Sequence, residues 1–237
     1  MWLIFDGLSG SEKKGTEQER EANRAIQVRL GLRLQAEGDY DGSIKAFQSA
    51  LDINPDIAMQ VIEHLRGLPT IRRKELGLQG CYTALGEADP LLTFVHKRVK
   101  NSCILSSDYD NIPWGADRVL LKVDYITGTV DLFDREVFKM TATVGKHNLL
   151  HVTDDQLIDI CVLAGCDYYP SLRGIGFAKA FNVVIEKSRG TRVLYAWRQQ
   201  GLAGCDDVYY QKALRAFTLF RYQRVSVCMY VCMYVCM

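Results

Sequence analysis

The chain has 237 residues, enough to bury one good core with a small appended domain. Its 29 Lys plus Arg stand against 28 Asp plus Glu, so the net charge of +1 selects no class of partner. The longest apolar runs are too short for a membrane span, and Met1 to Phe5 runs straight into Asp6 without a signal peptide's charged start or cleavage site. Eight cysteines without a Cys-x-x-Cys pair exclude a zinc ribbon and a disulfide framework, and fit a reducing compartment.

Trp2-Leu3-Ile4-Phe5 is a short apolar run ending at Asp6-Gly7, read as a buried strand that delivers a carboxylate to its C-terminal edge. A domain rarely begins on its central strand, so a preceding segment is expected. A polar loop then leads to helical patterns over residues 17–37, 40–53 and 57–66, the last ended by Pro69. Within them, Gly38-Asp39-Tyr40, Ile44-Lys45-Ala46-Phe47, Ala50-Leu51 and Pro55 match a tetratricopeptide helix pattern. No second copy follows, and about three repeats are needed to bury one repeat's face. A protein-interaction module is therefore a rival reading only.

Residues 70–100 give a mixed signal. A short strand at 103–105 runs into Ser106-Ser107-Asp108-Tyr109-Asp110, and 118–123 with 129–133 flank a Tyr125-Ile126-Thr127-Gly128 turn, as in a hairpin. Thr153-Asp154-Asp155-Gln156 predicts a capping box, with Leu157, Ile160, Cys161 and Ala164 on one face and Gly165 as the stop. Strands interleaved with helices, then a small helical module, predict an α/β fold. Residues 227–237 repeat Val-Cys-Met-Tyr with a strict period of four, which reads as a simple DNA repeat in translation and not as a metal-binding stripe.

Six acids stand where strand ends and turns would converge: Asp6, Glu87, Asp89, Asp108, Asp110 and Asp167. Two pairs are spaced i, i+2, which places both side chains on one side of an extended segment. Two carboxylates about 5 Å apart repel by roughly 3 kcal/mol at an effective dielectric near 20. A hard divalent cation removes that cost, and two such ions suit phosphodiester hydrolysis. Acids in turns are also ordinary solvated loop residues, so the pattern gains weight only as a set.

Basic clusters at 71–74, 96–100 and 187–192 offer a phosphate-binding surface. The most specific stretch is Asp167-Tyr168-Tyr169-Pro170-Ser171-Leu172-Arg173-Gly174-Ile175-Gly176-Phe177-Ala178-Lys179-Ala180. Its glycines let backbone N–H groups approach a phosphate at a helix N-terminus, and Arg173 and Lys179 add charge.

Residues 159–180 resemble the flap endonuclease and exonuclease-one (XPG-like) family of 5′ nucleases, marked by Gly-Cys/Ser-Asp-Tyr followed by Arg-Gly-Ile-Gly. The resemblance spans roughly residues 3–187 and favours the exonuclease-one branch. It implies a PIN-like nuclease core with a helical arch at about 17–66, followed by a helix–two-turn–helix DNA-binding module. The implied divisions are 1–152, 153–224 and a tail at 225–237. It further implies two Mg²⁺ ions on Asp6, Glu87, Asp89, Asp108, Asp110 and Asp167, with Lys13 and Arg20 as catalytic cations on the scissile phosphate. Arg173, Gly174, Ile175, Gly176 and Lys179 would hold the duplex backbone, with a monovalent cation. The partners it implies are DNA with 5′ ends, flaps or nicks and the proteins of repair or replication, in the nucleus. Two departures stand out. The family's Tyr-Glu-Ala-Asp-Ala is Gly86-Glu87-Ala88-Asp89-Pro90 here, and the segment carrying the family's first metal aspartate is absent. An inactive DNA-binding fragment is accordingly a second rival.

Overall fold

The computed structural model describes residues 1–7, 13–141, 143–144, 147–150 and 152–222. The four-residue repeat and the rest of the expected tail lie outside them. The chain packs as two compact units, Met1–Thr83 and Ala84–Met237, and the division expected near residue 152 falls inside the second. Among the described residues no helix is long and apolar enough to cross a membrane, and the five described cysteines are free thiols.

The first unit begins with β1 (Trp2–Phe5), a strand as expected, although its four residues are half-buried and not buried. Helix α1 (Lys14–Ala36) doubles back through Gly38, at φ +83°, into α2 (Tyr40–Ala50). The two helices approach closely because residue 31 is glycine. A Cβ there would stand 2.8 Å from the Phe47 ring, and Ser43 Oγ donates to the Gly31 carbonyl at 2.9 Å. Asp39 caps α2 by accepting from Gly42 N–H, and Asn54 caps α3 (Pro55–Gly67) by accepting from Ile57 N–H, both at 2.9 Å. The unreadable stretch after Pro69 opens with α4 (Thr70–Glu75) and β2 (Gly80–Thr83), which pairs parallel with β1 from Trp2↔Gly80 to Phe5↔Thr83.

The second unit opens with α5 (Ala88–His96), the remainder of that stretch. Next come β3 (Ile104–Leu105) and the hairpin of β4 (Arg118–Asp124) and β5 (Thr129–Asp134), in sheet order β3-β4-β5. Buried Ile104, Ala116, Val119 and Leu121 form a small core under this sheet. His96 ties α5 to β4: its Nε2 accepts the N–H groups of Asp117 and Arg118 at 3.2 and 3.3 Å, and its Nδ1 meets Ser102 Oγ at 2.8 Å. A nitrogen that accepts two N–H groups carries no proton, so the ring is the neutral Nδ1–H tautomer. Burial, with the nearby Arg118 and Lys97 charges, lowers the His96 pKa against the pull of Asp117.

Helix α6 (Arg135–Thr141) and the short pair β6 (Thr143–Val144) and β7 (His147–Asn148) lead to α7 (Asp154–Ala164). Both halves of the expected capping box are formed at Thr153 and Gln156. The second unit ends with α8 (Phe177–Lys187), α9 (Gly190–Gln199) and α10 (Asp207–Tyr222). Its larger core includes Ile160, Leu163, Phe181, Val184, Leu194 and Phe217.

Candidate metal and DNA-binding site

Glu87 and Asp89 are set by the start of α5. The expected extended segment is instead a helix start: Glu87 is the N-cap, with extended backbone, and Asp89 lies in the first turn. Pro90 is tolerated because the first turn needs no N–H at that position. Two acids at a helix N-terminus also suit the dipole. Asp108 and Asp110 likewise lie on a tight 3₁₀ turn (Tyr109–Asn111) and not on a strand. Asp108 Oδ1 accepts the Asp110 N–H at 2.8 Å, so one of its oxygens holds the turn together.

The charges of the half-buried Glu87, Asp89 and Asp110 all act on one phenol. Tyr168 OH donates a hydrogen bond to Glu87 Oε2. Burial raises the Tyr168 pKa first, then the Glu87 bond, then the charges of Glu87, Asp110 and Asp89. The phenol therefore stays protonated and acts as a donor that fixes Glu87. Asn111, fully buried, performs the same service for Asp89: its Nδ2 donates to Asp89 Oδ1 at 2.8 Å. Its Oδ1 is buried with no hydrogen-bond partner among the described residues. Neither Tyr168 nor Asn111 was singled out from the sequence. Each lies next to a predicted acid in the chain, which is the signal that could have found them.

Asp167 precedes Tyr168 and is half-buried, and its charge bears on the Cys166 thiol. Burial pushes Cys161 and Cys166 up to about 12 and about 11, so neither is a nucleophile at neutral pH. Asp6 follows β1 in the first unit and is exposed. Lys13 is the N-cap of α1, and Arg20, one helical heptad on, pairs with Glu17 at 3.2 Å. A cation at a helix N-terminus opposes the dipole by about 0.3–1 kcal/mol.

The donor set is carboxylate and amide oxygen, which fits a hard divalent cation and excludes a soft one. Among the described residues, however, no three His, Cys, Asp or Glu side chains form a group able to hold a metal ion.

The expected DNA grip is the link from α7 to α8. Gly165 ends α7 at φ +107°, where a Cβ would also stand 3.1 Å from Ser171 N. Cys166 and Tyr169 then exchange two backbone hydrogen bonds of 2.9 Å, and a second turn closes with Ile175 N–H donating to the Leu172 carbonyl at 2.9 Å. Gly174, at φ +79°, completes this two-turn loop, and Gly176 is the N-cap of α8. Arg173, Gly176 and Lys179 are exposed, whereas the Ile175 side chain is buried in the module's core. Ile175 is thus an anchor for the loop, and any contact it makes with a ligand is through backbone.

A buried charge network holds this module. Asp159 is fully buried; it accepts the Gly190 N–H at 2.8 Å and pairs with Arg221. Arg221 and Arg189 both reach Asp155, at 3.3 and 2.7 Å. A Cβ on residue 190 would stand 2.8 Å from Asp159 Cβ, so glycine permits the approach of α9 to α7.

The XPG I-region matches residues 80–167, the span from β2 to the last predicted acid. The chain is 31% identical over 180 residues to exonuclease 1 of Xenopus laevis, covering 75% of this chain and 22% of that protein. It is 26% identical over 223 residues to exonuclease 1 of Oryza sativa subsp. japonica, covering 94% of this chain and 25% of that protein. In fold it is similar to the catalytic core of Rad2 in complex with DNA substrate (16% identity, TM-score 0.57, 95% of this chain and 65% of that one). It is also similar to flap endonuclease-1 from Methanococcus jannaschii (19% identity, TM-score 0.53, 92% and 60%). The fold and the matched region are those of XPG-like proteins. The chain's similar sequences include the exonuclease 1 proteins just named. It spans about a quarter of the length of the curated relatives it matches.

Proposed function

We propose that this chain is the nuclease part of a Mg²⁺-dependent, structure-selective 5′ nuclease that hydrolyses DNA phosphodiesters at 5′ ends, flaps or nicks in nuclear repair or replication. The observation that carries the proposal is the gathering of Glu87, Asp89 and Asp110 around the protonated Tyr168, itself part of the two-turn loop. Those three acids, with Asp108, Asp167 and Asp6, are the proposed holders of two Mg²⁺ ions. When bound, such ions supply an activated water and stabilise the leaving oxygen. Tyr168 and Asn111 keep Glu87 and Asp89 aimed, while Lys13 and Arg20 orient the scissile phosphate. Arg173, Lys179 and the backbone from Gly174 to Gly176 hold the duplex, with a monovalent cation at the loop. A grip made on phosphate gives affinity that falls steeply with salt and little sequence preference.

A second reading has its own observation. The two-turn loop presents exposed Arg173 and Lys179 whether or not a metal centre forms, which suits a DNA-binding piece without hydrolysis. Cleavage of 5′-flap and 5′-recessed duplexes in Mg²⁺ and in Ca²⁺ separates the two. The nuclease reading expects cleavage in Mg²⁺ only, lowered about 10³-fold by Asp167→Ala. Salt-sensitive binding without cleavage in either metal establishes the second reading.

A further inference from the structure

Arg135, the first residue of α6, is 4% exposed and carries its charge into the interior of the second unit. Its guanidinium has acceptors in three directions. Nε donates to the Ala116 carbonyl at 2.9 Å, Nη2 donates to the Ile112 carbonyl, and Nη1 donates to Asp154 Oδ1 at 3.0 Å. A buried cation that gives two of these bonds to neutral carbonyls gains little stability against its desolvation. Both carbonyls belong to one short coil, which begins directly after Asp110 and Asn111.

That coil is bonded back onto the two residues. Trp114 N–H donates to the Asp110 carbonyl at 3.2 Å, and Ala116 N–H donates to the Asn111 carbonyl at 3.0 Å. Holding Ile112 and Ala116 therefore fixes the backbone of Asp110 and Asn111, and the Asn111 side chain passes the constraint to Asp89. Arg135 and Asp110 both lie close enough to Cys161 for their charges to act on its thiol, with opposite sign. Through Asp154, the first residue of α7, the same guanidinium ties the coil to the helix that leads to Asp167 and Tyr168. We propose that Arg135 is a positioning residue of the carboxylate centre. It acts by holding the 110–116 coil, and through it Asp110 and Asp89, in place before a metal binds. This role rests on the metal-centre reading given above. It needs a planar fork with separate donors for two carbonyls and a carboxylate, which a lysine ammonium does not reproduce.

The test compares two variants of the whole chain. Arg135→Lys keeps a cation for Asp154 but loses the fork on the carbonyls, whereas Asp154→Asn loses the ion pair and leaves the fork. Mn²⁺ binding, followed by electron paramagnetic resonance, should weaken about tenfold in Arg135→Lys and stay near the wild-type value in Asp154→Asn. A second readout needs no metal. In the metal-free wild type the Asn111 side-chain amide, followed by ¹⁵N NMR, should exchange with solvent far more slowly than that of the exposed Asn101. That protection should fall in Arg135→Lys and persist in Asp154→Asn. Equal loss of Mn²⁺ affinity in the two variants makes Arg135 a structural residue only and overturns the role. Wild-type binding that Arg135→Lys leaves unchanged overturns the role alone, and a wild type that binds no Mn²⁺ overturns the metal-centre reading and the role with it. An Asn111 amide as unprotected as Asn101 in the wild type overturns the role even where Arg135→Lys fails to fold.

Discussion

Among the described residues, helices α1 to α3 leave several large apolar side chains exposed, whereas helices α7 to α10 close around a core. In the first set Ile26, Leu32, Ile44 and Met59 remain 50–56% exposed, and the α1–α2 hairpin is held by a local fit of Gly31 to Phe47 and by Ser43. In the second set Ile160, Val184, Leu194 and Ala180 are fully buried, a capping box starts α7, and Asp159 joins three helices through one carboxylate. Apolar periodicity marks α2 and α3 as it marks α8 and α9. Whether it yields a closed core depends on tight turns and specific polar contacts that let the helices converge.

The contrast can be broken most forcefully at Asp159. Asp159→Ala leaves Arg221 without its buried partner and should cost the α7–α10 module about 3–5 kcal/mol. Urea unfolding followed by amide exchange should show that loss in α7, α9 and α10, with α1 and α2 unchanged. The reciprocal change is smaller. Phe47→Ala removes a half-buried ring from Gly31 and should cost the hairpin about 2 kcal/mol, visible as faster exchange in α1 and α2 and not in α10.

The smallest effect sharpens the comparison inside the second unit. His96 is held neutral and its pKa is lowered, so the folded state resists the proton that the unfolded chain accepts. Its contribution is fully present above the ordinary histidine value of 6.5 and is lost as pH falls through the lower folded value. Amide exchange in β4 should therefore quicken as the pH falls below that value. The effect should vanish in His96→Gln, while α10 follows its own acid response.

Much of this architecture was legible in advance. The apolar run at β1, the turn at 125–128 and the Thr153–Gln156 pair each carry their cause locally, so sequence reading reached them. Residues 70–100 did not, for identifiable reasons. Helix α4 is six residues long, β2 is a four-residue strand beginning with glycine, and Pro90 interrupts the periodicity at the start of α5. The candidate acids could be named in advance because Asp and Glu at turns are conspicuous in a sequence. Their local geometry was not, since both i, i+2 pairs lie at helical turns and not on strands. Tyr168 and Asn111 gain their roles from Glu87 and Asp89, distant in sequence, and no local pattern encodes that meeting.

The most direct test of the central claim is Mn²⁺ binding to the chain, followed by electron paramagnetic resonance, in the wild type, Asp89→Asn and Tyr168→Phe. The carboxylate-centre account predicts two ions bound per chain, binding at least about tenfold weaker in Asp89→Asn, and a smaller loss in Tyr168→Phe, where Glu87 keeps its charge but loses its orienting donor. Binding that neither variant disturbs, or no binding above that of a denatured control, would contradict it.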